Sequence, residues 1–99
     1  VRDLGVMSNP DSKPKYIRQE MNAFRNNPVS MAIKPLLDVL KDESKSEELR
    51  VAAAETLGWY NLYYRKSDII EALQTFSTSN SAVMNEVNKT IHRLKSKNR

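Results

Sequence analysis

Few side chains in this sequence could carry chemistry. His92 is the sole histidine. An imidazole acting as acid or base needs a group that orients it, and a metal site needs further ligands. Asn88 precedes His92 by one helical turn, and Lys89 and Lys95 lie nearby, but no carboxylate stands at a spacing that would orient the ring. His92 therefore reads as a solvated surface histidine. Asp42-Glu43 and Glu47-Glu48 are paired carboxylates. General acid–base work would require a desolvating cleft around them. A turn followed by a first helical turn instead suits acids that favour the helix dipole. Serines and threonines are plentiful, but neither a G-x-S-x-G elbow nor an S-x-x-K motif occurs. Their clustering at helix boundaries marks them as caps. The chain has no cysteine, which removes disulfides, thiolate chemistry and cysteine zinc sites. Its two glycines, Gly5 and Gly58, cannot build a glycine-rich phosphate loop. The expectation is no catalytic residue, no metal site, no cofactor and no small-molecule substrate, hence a protein that is not an enzyme.

Two segments remain as candidate binding surfaces. In Trp59-Tyr60-Asn61-Leu62-Tyr63-Tyr64-Arg65-Lys66, aromatic rings stand beside cations. Rigid rings supply contact area and cations supply orientation, the combination that partner sites use. Trp59, Tyr63, Tyr64, Arg65 and Lys66 are the candidate partner-binding residues. The same residues could instead fill a layer between helices or form a stacking platform for sugars or bases. The second segment is the C-terminal end. From Lys89 to Arg99 there are five cations and no acid. The remaining 88 residues hold 11 cations and 12 acids, so the net charge of +4 belongs wholly to that end. If the chain bound nucleic acid, Lys89, Arg93, Lys95 and Lys97 would carry it. Cations at a helix C-terminus also complement the dipole, and that is the reading we prefer; nucleic acid is not the expected partner.

The elements that must position these residues are helices. Residues 1–13 contain Gly5, Pro10 and an Asn-Pro-Asp-Ser cluster, and read as a linker or tether. Pro14 suits a first helical position, and Ile17, Met21 and Phe24 share one face. Asn26-Asn27-Pro28 ends that helix, with Asn27 a cap for the next. The second helix should run from about Pro28 to Lys41 on Ile33, Leu36, Leu37 and Leu40, with Pro35 bending it or moving its start later. Ser44 and Glu47 have capping-box spacing for a third helix from about Ser46 to Tyr60 or beyond. Its face is Leu49, Ala52, Ala53, Thr56, Leu57 and Tyr60. Asp68 and Glu71 give a similar start to a fourth helix carrying Ile69, Ile70, Leu73 and Phe76. Residues 77–81 offer several caps for a fifth, with Val83, Val87, Ile91 and Leu94 as its stripe. No segment alternates with a period of two, so no sheet is expected. No stretch approaches the roughly 18 apolar residues of a membrane span, and Val1 to Pro10 lack a signal-peptide core. Because the chain begins with Val1, we read it as a processed product or a piece of a longer protein, and as a C-terminal fragment.

The helices repeat. Leu49, Ala53, Thr56 and Leu57 superimpose on Val83, Val87, Thr90 and Ile91 at an offset of 34 residues. Ile33, Leu37 and Leu40 superimpose on Ile69, Leu73 and Phe76 at an offset of 36. Such periods mark stacked helix pairs. The phrase Glu48-Leu49-Arg50-Val51-Ala52-Ala53-Ala54-Glu55-Thr56-Leu57-Gly58 resembles the HEAT repeat family, in which a hydrophobe-Arg pair precedes small residues and then Leu-Gly. Pro35 inside the first helix of a pair is also similar to that family. The second copy departs from the phrase, with Met84 at the place of Arg50, Asn85-Glu86-Val87-Asn88 at the alanine run and His92 at Gly58. The resemblance spans about Pro28 to Leu94. It implies an all-α fold, a right-handed α–α superhelix of about five helices over residues 14–96, followed by a basic tail at 97–99. It also implies a non-catalytic scaffold or interaction module whose partner is a protein or a neighbouring domain of the same chain. The alternative is a nucleic-acid-binding domain, similar in architecture to the HEAT-like DNA glycosylases, using the basic C-terminal end.

Overall fold

A computed structural model describes residues 13–26, 29–61 and 63–95. Among these, the chain forms five α-helices and no strand. The helices are α1 (Pro14–Asn26), α2 (Ile33–Lys41), α3 (Glu47–Leu57), α4 (Lys66–Thr75) and α5 (Ser81–Lys95), with a short 3₁₀ turn at Ser30–Ala32 before α2. The expected cap Asn27 and Pro28, and most of the expected linker and tail, lie outside the described residues.

Local chemistry explains the helix ends. Pro35 is the third residue of α2, where a backbone N–H would have no intrahelical partner, so the proline does no damage. The chain resolves the conflict by starting α2 later than Pro28 and filling the gap with the 3₁₀ turn. At α3 the cap is Ser46, whose hydroxyl accepts the Leu49 N–H at 3.2 Å. The expected capping serine, Ser44, is engaged elsewhere: its amide and hydroxyl both donate to Asp42 Oδ1, at 2.9 and 2.6 Å. Those two bonds, helped by Lys45 and Arg50, hold the Asp42 carboxyl below its ordinary value. At α4 the box-like start also fails. The helix begins at Lys66 without a side-chain cap, and Asp68 lies inside its first turn, paired to Arg65 at 2.7 Å. At α5, Asn80 Oδ1 accepts the Val83 N–H at 3.1 Å.

α3 ends at Leu57, earlier than expected. Its last turn tightens into i→i+3 bonds, from Gly58, Trp59 and Tyr60 N–H to the carbonyls of Glu55, Thr56 and Leu57. Gly58 has ordinary right-handed helical angles, so backbone freedom does not require glycine there. Space is tight instead: a Cβ would lie 3.2 Å from the Glu55 carbonyl oxygen and 3.3 Å from Arg93 Cδ, so these neighbours would have to give by a few tenths of an ångström.

Packing centres on α3, which meets α1, α2 and α5, while α4 packs on α5. Leu49, Arg50, Ala53, Ala54, Thr56 and Leu57 are all buried, so α3 is covered on several sides. Its alanines let neighbours approach closely, and interaxial distances of about 8 Å become accessible. Two ion pairs fix the α1–α3 register: Arg18 with Glu48, and Arg25 with Glu55 at 3.7 Å. Both pairs advance seven residues in the same direction, so α1 and α3 run parallel. α3 and α5 are parallel by the same logic. Asn80 donates to Glu47 at 3.1 Å near their starts, and Thr90 donates to the Ala54 carbonyl at 2.8 Å near their ends. Thus α1, α3 and α5 form one layer, with α2 and α4 against it. The Cα radius of gyration, 12.4 Å, matches a compact chain of this length.

The core is close to the expected one. Ile17, Met21, Phe24, Leu36, Leu40, Leu49, Ala53, Leu57, Tyr60, Ile69, Leu73, Val83, Val87 and Leu94 are buried; Ile33, Leu37, Ala52, Ile70, Phe76 and Ile91 pack partly exposed at its edge. Val39 and Ala54 join it from outside the expected stripes. Arg50 is buried to 5% exposure, with Nε donating to the Leu40 carbonyl at 2.9 Å and Nη2 to Thr78 Oγ1 at 3.4 Å. It ties the end of α2 to the loop before α5.

Candidate functional site

The segment from Trp59 to Lys66 divides into two surfaces. Tyr60 turns inward to 1% exposure, and its hydroxyl donates to the Val29 carbonyl at 2.8 Å. Burial pushes its pKa up to about 12. Tyr63 is half-buried against the core. It meets Tyr60 edge-on, with centroids 5.9 Å apart, and Tyr64 at 5.1 Å. Tyr64 is 85% exposed. Arg65 is held by Asp68, which raises its pKa through their hydrogen bond, and Lys66 is the first residue of α4. Tyr63 and Arg65 thus serve the turn into α4.

Trp59 forms the second surface with residues distant in sequence. It is 43% exposed. The Arg25 guanidinium, from α1, lies over its ring at 5.4 Å, and that of Arg93, from α5, at 5.3 Å. Beside the indole is an open depression of about 360 Å³, lined by Asn22, Arg25, Asn26 and Trp59. The site exists because α1, α3 and α5 run parallel and end together. The tightened end of α3 presents Trp59 outward, and the bare Cα of Gly58 lets the Arg93 stem pass beside it. α3 has no base in its own last turn, whereas α1 brings Arg25 and α5 brings Arg93 and Lys95. The neighbours therefore supply the cations that complement the dipole of α3.

Of the basic residues at the C-terminal end, Lys89, Arg93 and Lys95 are exposed on α5, and Lys97 lies outside the described residues. Arg93 joins the two candidate sets, because it is both part of the basic end and a neighbour of Trp59. Asn22, Arg25 and Asn26 give no sign of a site in the sequence. Their i, i+3, i+4 spacing on α1 reads as an ordinary polar face, and only the packing of α1 on α3 brings them to the indole.

Chemically, the site offers two guanidinium forks with five N–H donors each, two carboxamides and an aromatic surface. A guanidinium does not release a proton near neutral pH, so the arrangement can bind, orient and stack. His92 is exposed. Three of the four paired carboxylates serve structure: Glu48 pairs with Arg18, Asp42 orders Ser44 and Glu47 accepts from Asn80. Among the described residues, no group of three His, Cys, Asp or Glu side chains could hold a metal ion, and no helix is long and apolar enough to cross a membrane. No family model, curated protein or solved structure matches the chain.

Proposed function

We propose that this chain is a non-catalytic, HEAT-like interaction module that engages a protein partner, or a neighbouring domain of its own chain, through the surface around Trp59. The carrying observation is a 43% exposed tryptophan held by arginines from two flanking helices. Leaving such a ring in water forgoes burial that a partner would supply, and Trp and Arg are the residue types that dominate interface energetics. The right-handed superhelix belongs to the same proposal. Its support is the parallel α1, α3 and α5 together with the 34- and 36-residue offsets in the sequence. Stacked pairs bury their stripes against neighbours and offer extended surfaces to partners.

Nucleic-acid binding through Lys89, Arg93 and Lys95 is the weaker reading. The half-exposed Glu55, reaching Arg25 at 3.7 Å beside Trp59, interrupts the positive surface a polyphosphate would follow. Site-specific photo-crosslinking tests the proposal. A benzoylphenylalanine at position 26, in the depression beside Trp59, or at position 89, one turn before Arg93 on α5, should capture a discrete partner in the native cell, whereas one at position 34 on α2 should not. Trp59→Ala should abolish the adduct. Equal capture at position 34, or an adduct indifferent to Trp59→Ala, would contradict the proposal.

A further inference from the structure

We infer that the Trp59 surface takes an acidic peptide segment, with carboxylates on Arg25 and Arg93 and an apolar side chain on the indole. The inference rests on the reading of Trp59 as a partner surface and adds the partner's chemistry.

Charge decides the class of partner. Arg25 and Arg93 both lie over the ring, and Lys89 stands one turn before Arg93 on the exposed side of α5. The nearby acid is Glu55, whose carboxylate reaches Arg25 at 3.7 Å, a loose contact between half-exposed groups. It leaves most of the Arg25 fork available. A carboxylate is planar and accepts two parallel N–H bonds from a guanidinium, so each arginine can take one side chain bidentately. The two arginines reach the same ring from opposite neighbouring helices, which suits acids separated along an extended segment. The depression beside the ring adds Asn22 and Asn26, one turn apart on α1. Carboxamides both donate and accept, as a peptide backbone requires. The patch is also short. A nucleic acid gains affinity from many phosphate contacts, while here two arginines and a lysine lie beside the carboxylate of Glu55. A short acidic segment fits that extent.

Glu55 gives the inference a distinctive sign. It occupies part of Arg25 in the free protein and would compete with an incoming carboxylate. Removing its charge should strengthen binding, while removing either arginine should weaken it.

The test uses the full chain and a fluorescein-labelled peptide, Glu-Glu-Phe-Glu-Glu-Leu-Glu-Glu, read by anisotropy. Counterparts with Gln or Lys for every Glu, and a labelled single-stranded oligothymidine, are measured alongside. Because the chain has a single tryptophan, emission from Trp59 reports occupancy directly. The acidic peptide should saturate the site and change that emission. Arg25→Gln and Arg93→Gln should each weaken binding by about 5- to 30-fold. Glu55→Gln should tighten it by about two- to fivefold, and the remote Lys34→Gln should leave it unchanged. All four side chains are at least partly exposed, so the variants should fold. The inference is overturned if the Gln or Lys peptide binds as well, if neither arginine matters, or if the oligonucleotide binds more tightly at Trp59. If the acidic peptide fails while crosslinking at positions 26 and 89 persists, the partner chemistry is wrong and the surface stands. Failure of both removes the functional reading itself.

Discussion

Replacing Arg50 with methionine should destabilise the fold more than any surface change. Arg50 is 5% exposed, and its Nε is the side-chain donor to the Leu40 carbonyl, 2.9 Å away at the C-terminal end of α2. Methionine keeps most of the aliphatic stem, so packing loss is small. Methionine is also the residue at the equivalent place of the second repeat, Met84, where it is half-buried. The loss is therefore chiefly the hydrogen bond from a charged donor, worth about 1.5–3 kcal/mol, together with a buried carbonyl left without it. Thr78 adds little, because its contact is long at 3.4 Å. A total of about 2–3 kcal/mol is a large share of the roughly 5–15 kcal/mol typical of a domain. It corresponds to a fall in Tm of about 10–20 °C for a chain of this size. Urea unfolding followed by far-UV circular dichroism and by Trp59 fluorescence gives the free energy and tests whether both probes move together. Thr78→Ala should cost no more than about 0.5 kcal/mol. Arg50→Lys should recover only part of the loss, since an ammonium cannot reproduce the two-pronged guanidinium geometry. A loss below about 0.5 kcal/mol for Arg50→Met would refute the assignment of Arg50 as the donor that ties α3 to the end of α2.

Other perturbations probe the neighbouring structure. Thr90→Val, nearly isosteric, should cost about 1–2 kcal/mol in denaturant unfolding, because the Ala54 carbonyl loses the hydroxyl that the tightened end of α3 relies on. Tyr60→Phe should cost about 0.5–1.5 kcal/mol at neutral pH, since the Val29 carbonyl keeps its bond from the Ala32 N–H. It should also flatten the alkaline limb of the stability profile. Tyr60 ionises near 12 when folded against 10.0 for the free side chain, so its contribution is full below pH 10 and is lost as pH rises through 12. Wild type compared with Tyr60→Phe across that window isolates the effect, and identical slopes would exclude it. Gly58→Ala should shift the Arg93 stem by a few tenths of an ångström against the indole, changing Trp59 emission with little loss of helicity by circular dichroism; an unchanged emission spectrum would contradict the contact at 3.3 Å.

The five helices were legible because their apolar spacing and polar breaks agree, and packing then buried most of the stripes. Helix ends were less so. Only Ser44 has an acid at capping-box spacing, Glu47, yet Ser46 makes the cap because the Asp42 carboxylate holds Ser44. The D-x-x-E start at Asp68 misled because Arg65 holds that carboxylate in an ion pair. Arg50 stands out in the sequence only as part of a repeat phrase; an arginine in an alanine-rich helix gives no sign that it will donate inward to a carbonyl ten residues earlier. The site shows the same division. Trp59 is a candidate from its type alone, but the residues that meet its ring are not its neighbours along the chain. Tyr63 and Arg65 follow Trp59 closely and serve the next turn, whereas Arg25 and Arg93 lie more than 30 residues away on either side and reach the ring. That meeting depends on three parallel helices ending together, which no local pattern encodes.

The indole N–H of Trp59 gives the most direct test of the binding claim, since a single tryptophan yields a single indole resonance in a ¹H–¹⁵N correlation spectrum. On titration with the acidic peptide, that resonance should shift to saturation, together with the backbone amides at the ends of α1, α3 and α5. A stationary indole signal, or shifts confined to α2 and α4, would contradict the account.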